Sequence, residues 1–396
     1  MNDHVLVINA GSSSIKFAVY PANGDWKNPY RVRGELEGIG HAPRLHARTS
    51  EGLLAQEQAP LSCNSPSFGP QEAVTFLVEW LRQNLGHHRL VAAGHRVVHG
   101  GERFSAPVIV TPEVMDCLQQ LVPLARLHEP WELEAIRALA RARPDLHQVA
   151  CFDTAFHCTL PDVEQRFALP RQLHDEGVKR YGFHGLSYEY AAHMLPALVG
   201  ERALGRVVVA HLGNGASLCA MRELKSVATT MGFTVLDGLV MGTRPGALDP
   251  GVLLYLIQEK NMTVQQVSDL LHFRSGLLGV SGLSHDMRAL LASGDPRAKE
   301  AVDLFVYRAV REVGSLVAAL GGLDVLAFTG GIGERAPEIR ARICAKLAWL
   351  RIDLDRDANR AGAPIVSAAG SRIPVCVIHC NEELAIARHT CRLLQL

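Results

Sequence analysis

Apolar positions along the chain follow two rhythms that alternate through most of its length. Short β-branched runs at residues 5–8 and 15–20 flank the segment Asn9-Ala10-Gly11-Ser12-Ser13-Ser14, and two apolar runs around a tight Gly/Ser turn predict a hairpin. The same pattern recurs at residues 207–210 and 218–221, joined by His211-Leu212-Gly213-Asn214-Gly215-Ala216-Ser217. Aligning Val5 with Val207 also places Gly11 on Gly213, so two similar hairpins open two halves of similar size. We read this as an internal duplication. Residues 149–152 predict a strand, while 72–85, 131–143, 301–320 and 337–350 have helical spacing. A last helix is predicted from Asn381-Glu382-Glu383, where acidic residues suit a helix N-terminus. Residues 41–67, rich in polar residues, Gly, Pro and Ser, predict irregular excursions from the first half. The alternation as a whole predicts an α/β protein.

Composition narrows the function. Among 396 residues, 40 basic side chains balance 40 acidic ones, which leaves no field to attract nucleic acid or an anionic membrane. A small anion held by a few local arginines remains compatible with that balance. The nine cysteines are scattered without a CxxC, which argues against a disulfide framework or zinc ribbon and for reduced thiols in the cytoplasm. The N-terminus lacks a basic segment followed by an apolar one, and no apolar run reaches the length of a bilayer span.

Three glycine turns follow strand-like runs: Gly11-Ser12-Ser13-Ser14, Gly213-Asn214-Gly215 and Gly330-Gly331-Ile332-Gly333-Glu334. Glycine lets backbone amides approach an anion closely, and serine adds donors. One such turn is explained by a hairpin alone; three together point to a nucleotide site. The P-loop and Rossmann signatures are both absent, so the phosphates would be clamped by hairpins of a duplicated fold. Lys16, one of seven lysines, is placed either to reach a phosphate or simply to be solvated on its strand.

Arg96 lies within Gly94-His95-Arg96-Val97-Val98-His99-Gly100-Gly101, His184 within Tyr181-Gly182-Phe183-His184-Gly185, and Arg244 within Met241-Gly242-Thr243-Arg244-Pro245-Gly246. The flanking glycines predict accessible side chains. Each block alone reads as structural; together they offer fixed positive donors for a transferring phosphoryl group. Asp153 ends the strand at 149–152, as either a site residue or a helix cap.

With these motifs in place, the sequence resembles the acetate kinases of the acetate and sugar kinase/Hsp70/actin superfamily. The resemblance runs from Val5 nearly to the C-terminus, through residues 9–16, 94–101, Phe152-Asp153-Thr154-Ala155-Phe156-His157, 181–187, 211–217, 231–234, 241–244, 276–288, 329–334 and 381–384. It implies a duplicated two-domain actin-like/ribonuclease H-like α/β fold with an interdomain cleft. The first domain would cover residues 1–150, joined by the helix at 382–396, and the second 151–381. It implies reversible, direct in-line phosphorylation of acetate by ATP, a homodimer, and Mg²⁺ (with Mn²⁺ able to substitute) held by Asn9 and Glu382. Lys16 would contact ATP phosphate. His211, Leu212, Gly213, Asn214, Gly215, Asp286, Met287, Arg288, Gly330, Gly331, Ile332, Gly333 and Glu334 would line the nucleotide site. Arg96 would bind the substrate carboxylate beside the apolar positions Val98, Leu127, Phe183 and Val235. Asp153, His184 and Arg244 would be catalytic.

A carboxylic acid is already ionised at neutral pH, with a pKa of roughly 4 to 5, so the nucleophile needs no general base. Asp153 is therefore expected to orient an arginine or a metal-bound water. Three departures mark this chain within the resemblance. Glu129 stands where asparagine is usual in Arg126-Leu127-His128-Glu129-Pro130, and Val235 stands where a pocket proline is usual. Arg244-Pro245-Gly246-Ala247-Leu248-Asp249 also replaces a serine-glycine-aspartate run. Propionate is thus an alternative substrate, butyrate a more distant one, and a non-catalytic actin-like nucleotide-binding scaffold the alternative of another class. A scaffold would have little reason to keep Arg96, Asp153, His184 and Arg244 together.

Overall fold

The computed structural model describes residues 3–11, 13–24, 30–58 and 68–396; Ser12 of the first glycine turn and residues 59–67 lie outside that set. The chain divides into two compact units, Met1–Ala155 with Asn381–Leu396, and Phe156–Cys380.

The first unit is built on strands β1 (Asp3–Ala10), β2 (Ser14–Pro21), β3 (Val32–Glu37), β4 (Arg44–Thr49), β5 (Gly52–Gln58), β6 (Arg89–Val97), β7 (Val108–Ile109) and β8 (His147–Phe152). They form one sheet in the order β5-β4-β3-β2-β1-β6-β8-β7. The predicted hairpin is β1–β2, with Val5 opposite Tyr20 and Asn9 opposite Lys16. β1, β6 and β8 run parallel to one another. The continuous apolar run of β1 follows from this placement: a central parallel strand is covered on both faces, so Val5, Leu6, Val7 and Ile8 are all buried. Leu6, Ile8 and Phe17 join Leu77 and Leu81 of the helix Pro70–Asn84 and Ala135 and Leu139 of the helix Glu129–Ala142 in one core. Val5 and Ala92 meet Cys391 of the helix Glu382–Leu394. That contact is close. A Cβ added at Gly94 of β6 would strike Ile386 and Thr390 of this helix.

Residues 44–58 correct the expectation of irregular chain over 41–67, because they form the antiparallel pair β4–β5. The alternation responsible is short: Leu45, Ala47 and Ala55 point into the core between polar neighbours. Such polar spacing suits outer strands, whose free edges must not invite other chains.

The second unit carries β9 (Val207–Leu212), β10 (Ala216–Arg222), β11 (Lys225–Thr229), β12 (Val325–Thr329) and β13 (Val375–Val377), in the order β11-β10-β9-β12-β13. Here β9–β10–β11 is antiparallel, and β12 and β13 run parallel to β9. The first unit contains the same arrangement as β3-β2-β1-β6-β8, with the same strand directions. The duplication read from two hairpins therefore extends to whole sheets. Tyr188, Ala191 and Leu195 of the helix Gly185–Val199 pack on Val207, Val209, Cys219, Met221, Val325 and Ala327. The helix Pro296–Leu320 lies against β9, β10 and β11, and begins five residues before the predicted 301. The segment predicted as one helix over 337–350 is the helix Pro337–Lys346 followed by a separate 3₁₀ turn, Ala348–Leu350.

Candidate active site

In the first unit, parallel β1, β6 and β8 end side by side, and each delivers a polar residue there. Asn9 is on the last turnings of β1, Arg96 on the end of β6, and Asp153 directly after β8. The carboxyl ends of parallel strands are where α/β folds place their ligands. Asp153, 2 % exposed, accepts hydrogen bonds through Oδ2 from Arg96 Nη2 at 2.5 Å and Arg96 Nε at 3.1 Å. Arg96 Nη1 donates to Asn9 Oδ1 at 3.4 Å and lies 3.6 Å from Glu132 Oε1. Asp153 is therefore no helix cap; its carboxylate grips an arginine. Lys16 is exposed on β2 directly across from Asn9, and Glu382 opens the C-terminal helix. Burial raises the Glu382 carboxyl above its ordinary range, Asp153 pushes the same way, and Arg96 and Lys16 oppose both. Burial opposes the charge of Arg96, yet Asp153, Glu132 and Glu382 together raise its pKa further.

The glycines around Arg96 correct the expectation that they leave it accessible. Its side chain is only 18 % exposed. Gly94 admits the C-terminal helix, while a Cβ on Gly100 would meet Phe104 and Phe152. His95 and His99 of this block are core groups, each pulled down to about 4 by burial, so neither offers a cation at neutral pH.

Two acids to which the sequence reading gave no role in the site lie beneath this cluster. Glu132 accepts the Val98 N–H through Oε2 at 2.8 Å while Oε1 faces Arg96. Burial pushes its carboxyl up to about 8, against the pull of Arg96. Glu129, the departure noted above, is fully buried against the His99 backbone. Burial and then the neighbouring Glu132 push it up to about 9. Both sit in the first turn of the helix Glu129–Ala142, where acids usually signal only a favourable end charge. The available signal was their spacing, since 129, 132, 136 and 139 share one helical stripe with Ile136 and Leu139.

In the second unit, β9 and β12 are parallel neighbours with His211 opposite Thr329, so the turns His211–Gly215 and Gly330–Glu334 emerge at the same end of the sheet. Gly330 has φ +78°, and a Cβ there would strike the Leu212 backbone. Gly330, Gly331, Ile332 and Gly333 start the short helix Gly330–Arg335. Glu334 turns its carboxylate back, accepting the N–H of Cys380 at 3.0 Å and of Gly330 at 3.2 Å. It acts there as a latch on the turn.

His184 caps the helix Gly185–Val199 with left-handed backbone, φ +59°, an uncommon conformation that tends to mark constrained sites. Its ring stacks on His211 with centroids 4.2 Å apart, and its Nδ1 shares a hydrogen bond of 2.8 Å with Ser217 Oγ. Arg244 Nη1 donates to the Val235 carbonyl at 2.8 Å. A Cβ on Gly215 would come within 2.7 Å of Arg244 Nη2 and 3.0 Å of His184 Nε2. The glycine turn, the histidine and the arginine thus converge on one point. Gly242 is similarly required, because Asn214 occupies the space of its Cβ.

The remaining predicted positions are distributed between the units. Val98 is buried and Leu127 half-buried in the first; Phe183 is buried and Val235 half-buried in the second. Asp286 caps a short helix through the Arg288 N–H at 2.8 Å and pairs with the exposed Arg288 side chain, while Met287 is buried. Among the described residues, no cluster of three or more His, Cys, Asp or Glu side chains forms a metal centre.

These sites can be set beside known proteins. The family model of the acetokinase family matches residues 4–388. The chain is 54 % identical to the acetate kinase of Rhodopseudomonas palustris over 397 aligned residues, covering 99 % of each, and 42 % identical to that of Rickettsia prowazekii over the whole of both. Among solved structures, the propionate kinase of Francisella tularensis superposes with TM-score 0.90 at 36 % identity, covering 98 % of this chain and 99 % of that one. The acetate kinase of Porphyromonas gingivalis gives 0.88 at 35 %, covering 99 % and 100 %. The paired sheets, the arginine–carboxylate cluster and the glycine turns are those of a protein that belongs to the acetokinase family.

Proposed function

We propose that this chain catalyses the reversible transfer of the γ-phosphoryl group of ATP to acetate, giving acetyl phosphate and ADP. The observation that carries this reading is Arg96, a guanidinium fixed on one edge by Asp153 at the end of β6 and facing only longer contacts at Nη1. A planar cation held this way suits a carboxylate. In this reading Arg96 binds the acid beside Val98, and Asp153 orients the arginine without taking a proton, since the substrate is already an anion. The turns at His211–Gly215 and Gly330–Gly333 bring backbone N–H groups to the nucleotide phosphates, and Lys16 adds a cation. His184 and Arg244, converging on Gly215, place donors where charge spreads over the equatorial oxygens in the transition state.

Asn9 and Glu382 offer oxygen donors only, one amide and one carboxylate, which is the sparse hard set that Mg²⁺ accepts when phosphates complete its shell. These two residues would hold it. When bound, the ion neutralises phosphate charge, and burial of Glu382 among acids gives that carboxylate a reason to favour a cation.

The test is hydroxylamine trapping with purified protein, Mg-ATP and acids from formate to butyrate. Acetate is expected to give the highest kcat/KM. No hydroxamate from any acid would sink the proposal and leave the nucleotide-binding scaffold. Propionate is the second reading, favoured by Val235 in place of the usual proline; one methylene in an apolar pocket changes discrimination by about 1–3 kcal/mol.

We further propose a cytoplasmic homodimer. No disulfide joins the described cysteines, as in reducing compartments, and no helix among the described residues is long and apolar enough to cross a membrane. The apolar helix Pro250–Gln258 buries none of its residues, and Leu254, Tyr255 and nearby Phe273 are at least half exposed. A surface of that kind marks an interface; a monomer mass in light scattering would refute the assembly.

A further inference from the structure

Glu132 touches both kinds of residue a short carboxylic acid would need. Its Oε1 faces the Nη1 corner of Arg96 at 3.6 Å, and its Oε2 accepts the Val98 N–H at 2.8 Å. Arg96 is the penultimate residue of β6, and Val98 follows directly after the strand. The other edge of Arg96 is already taken by Asp153, which accepts from Nε and Nη2. What remains variable is the aim of Nη1, with only Asn9 at 3.4 Å and Glu132 nearby. Glu132 is 1 % exposed and comes from a helix packed into the core, so its carboxyl is a fixed post. Commitment of Oε2 to the backbone keeps Oε1 at 3.6 Å from Nη1, so the 3.4 Å bond to Asn9 is the contact a substrate oxygen would replace.

We propose that Glu132 is a positioning residue for the carboxylate substrate, tying the direction of the Arg96 guanidinium to the backbone of the apolar position Val98. This rests on the acetate-phosphorylating reading above. It is expected to set affinity for the acid and leave nucleotide binding alone, because its contacts run to Arg96 and the Val98 backbone.

The experiment measures kcat and both KM values, with thermal melting, for the wild type, Glu132→Ala and Glu132→Gln. Glutamine keeps an acceptor for the Val98 N–H and the side-chain volume. Glu132→Ala is expected to raise KM for the acid about tenfold, with KM for ATP unchanged within about twofold. Glu132→Gln should recover most of that loss. An unchanged KM for the acid in both variants overturns the proposal. So does a parallel rise in both KM values that follows a fall in melting temperature, which marks a merely structural role. Should Glu132→Ala fail to fold, Glu132→Gln decides alone: its KM for the acid must rise measurably while that for ATP stays put. A wild type that phosphorylates no acid overturns the functional reading itself, an outcome visible before any variant is compared.

Discussion

The two units share one five-strand plan, β3-β2-β1-β6-β8 in the first and β11-β10-β9-β12-β13 in the second, yet the ends of corresponding strands carry opposite chemistry. The first gathers Asn9, Arg96, Asp153, Glu132 and Glu382, one amide and one arginine among three carboxyls. The second presents glycine turns with His184 and Arg244 packed against Gly215. The strand plan fixes where a ligand group can stand; the residues after each strand decide what stands there. Charged side chains and bare backbone are therefore alternative fillings of one scaffold, and each half fails in its own way when altered.

The largest expected effect is in the charged half. Asp153→Asn should lower kcat about a hundredfold or more, because the neutral amide no longer grips Arg96 as an anion; near-normal turnover would refute the orienting role. The glycine half should respond to volume instead of charge. Gly215→Ala pushes Arg244 and His184 apart and should cost roughly tenfold to a hundredfold in kcat while melting is little changed. Unaltered kinetics would mean those two side chains do not act at that point.

The smallest effect concerns stability. The Glu129 carboxyl, pushed up to about 9 by burial, keeps its proton in the folded chain and loses it at the ordinary carboxylate pH when unfolded. Its contribution is complete below about 4.5 and is lost as pH rises toward about 9, where the unfolded state binds fewer protons. Glu129→Gln removes that dependence, so its melting temperature relative to wild type should rise by a few degrees between pH 5 and pH 8. Parallel curves across that range would show the carboxyl to be ionised in the fold.

The sequence made local features plain. Each hairpin is two apolar runs about a glycine turn, and the helix Glu382–Leu394 announced itself by its acidic first turn. The polar β4–β5 pair was illegible because three inward residues, Leu45, Ala47 and Ala55, make too short an alternation. Motif glycines pointed to the right blocks for a partly wrong reason: Gly94 serves helix packing, not access to Arg96. Glu132 was missed because its meaning depends on Val98, 34 residues earlier in the chain, and no local pattern carries that pairing.

Gly94, pressed against Ile386 and Thr390, has a consequence for synthesis. The first unit is discontinuous, and its closing helix is translated only after all of the second. Until Asn381–Leu396 leaves the ribosome, Val5 and Ala92 lack the apolar cover of Cys391. Domains generally fold in order of emergence, so here the half begun first is finished last, when its closing helix docks.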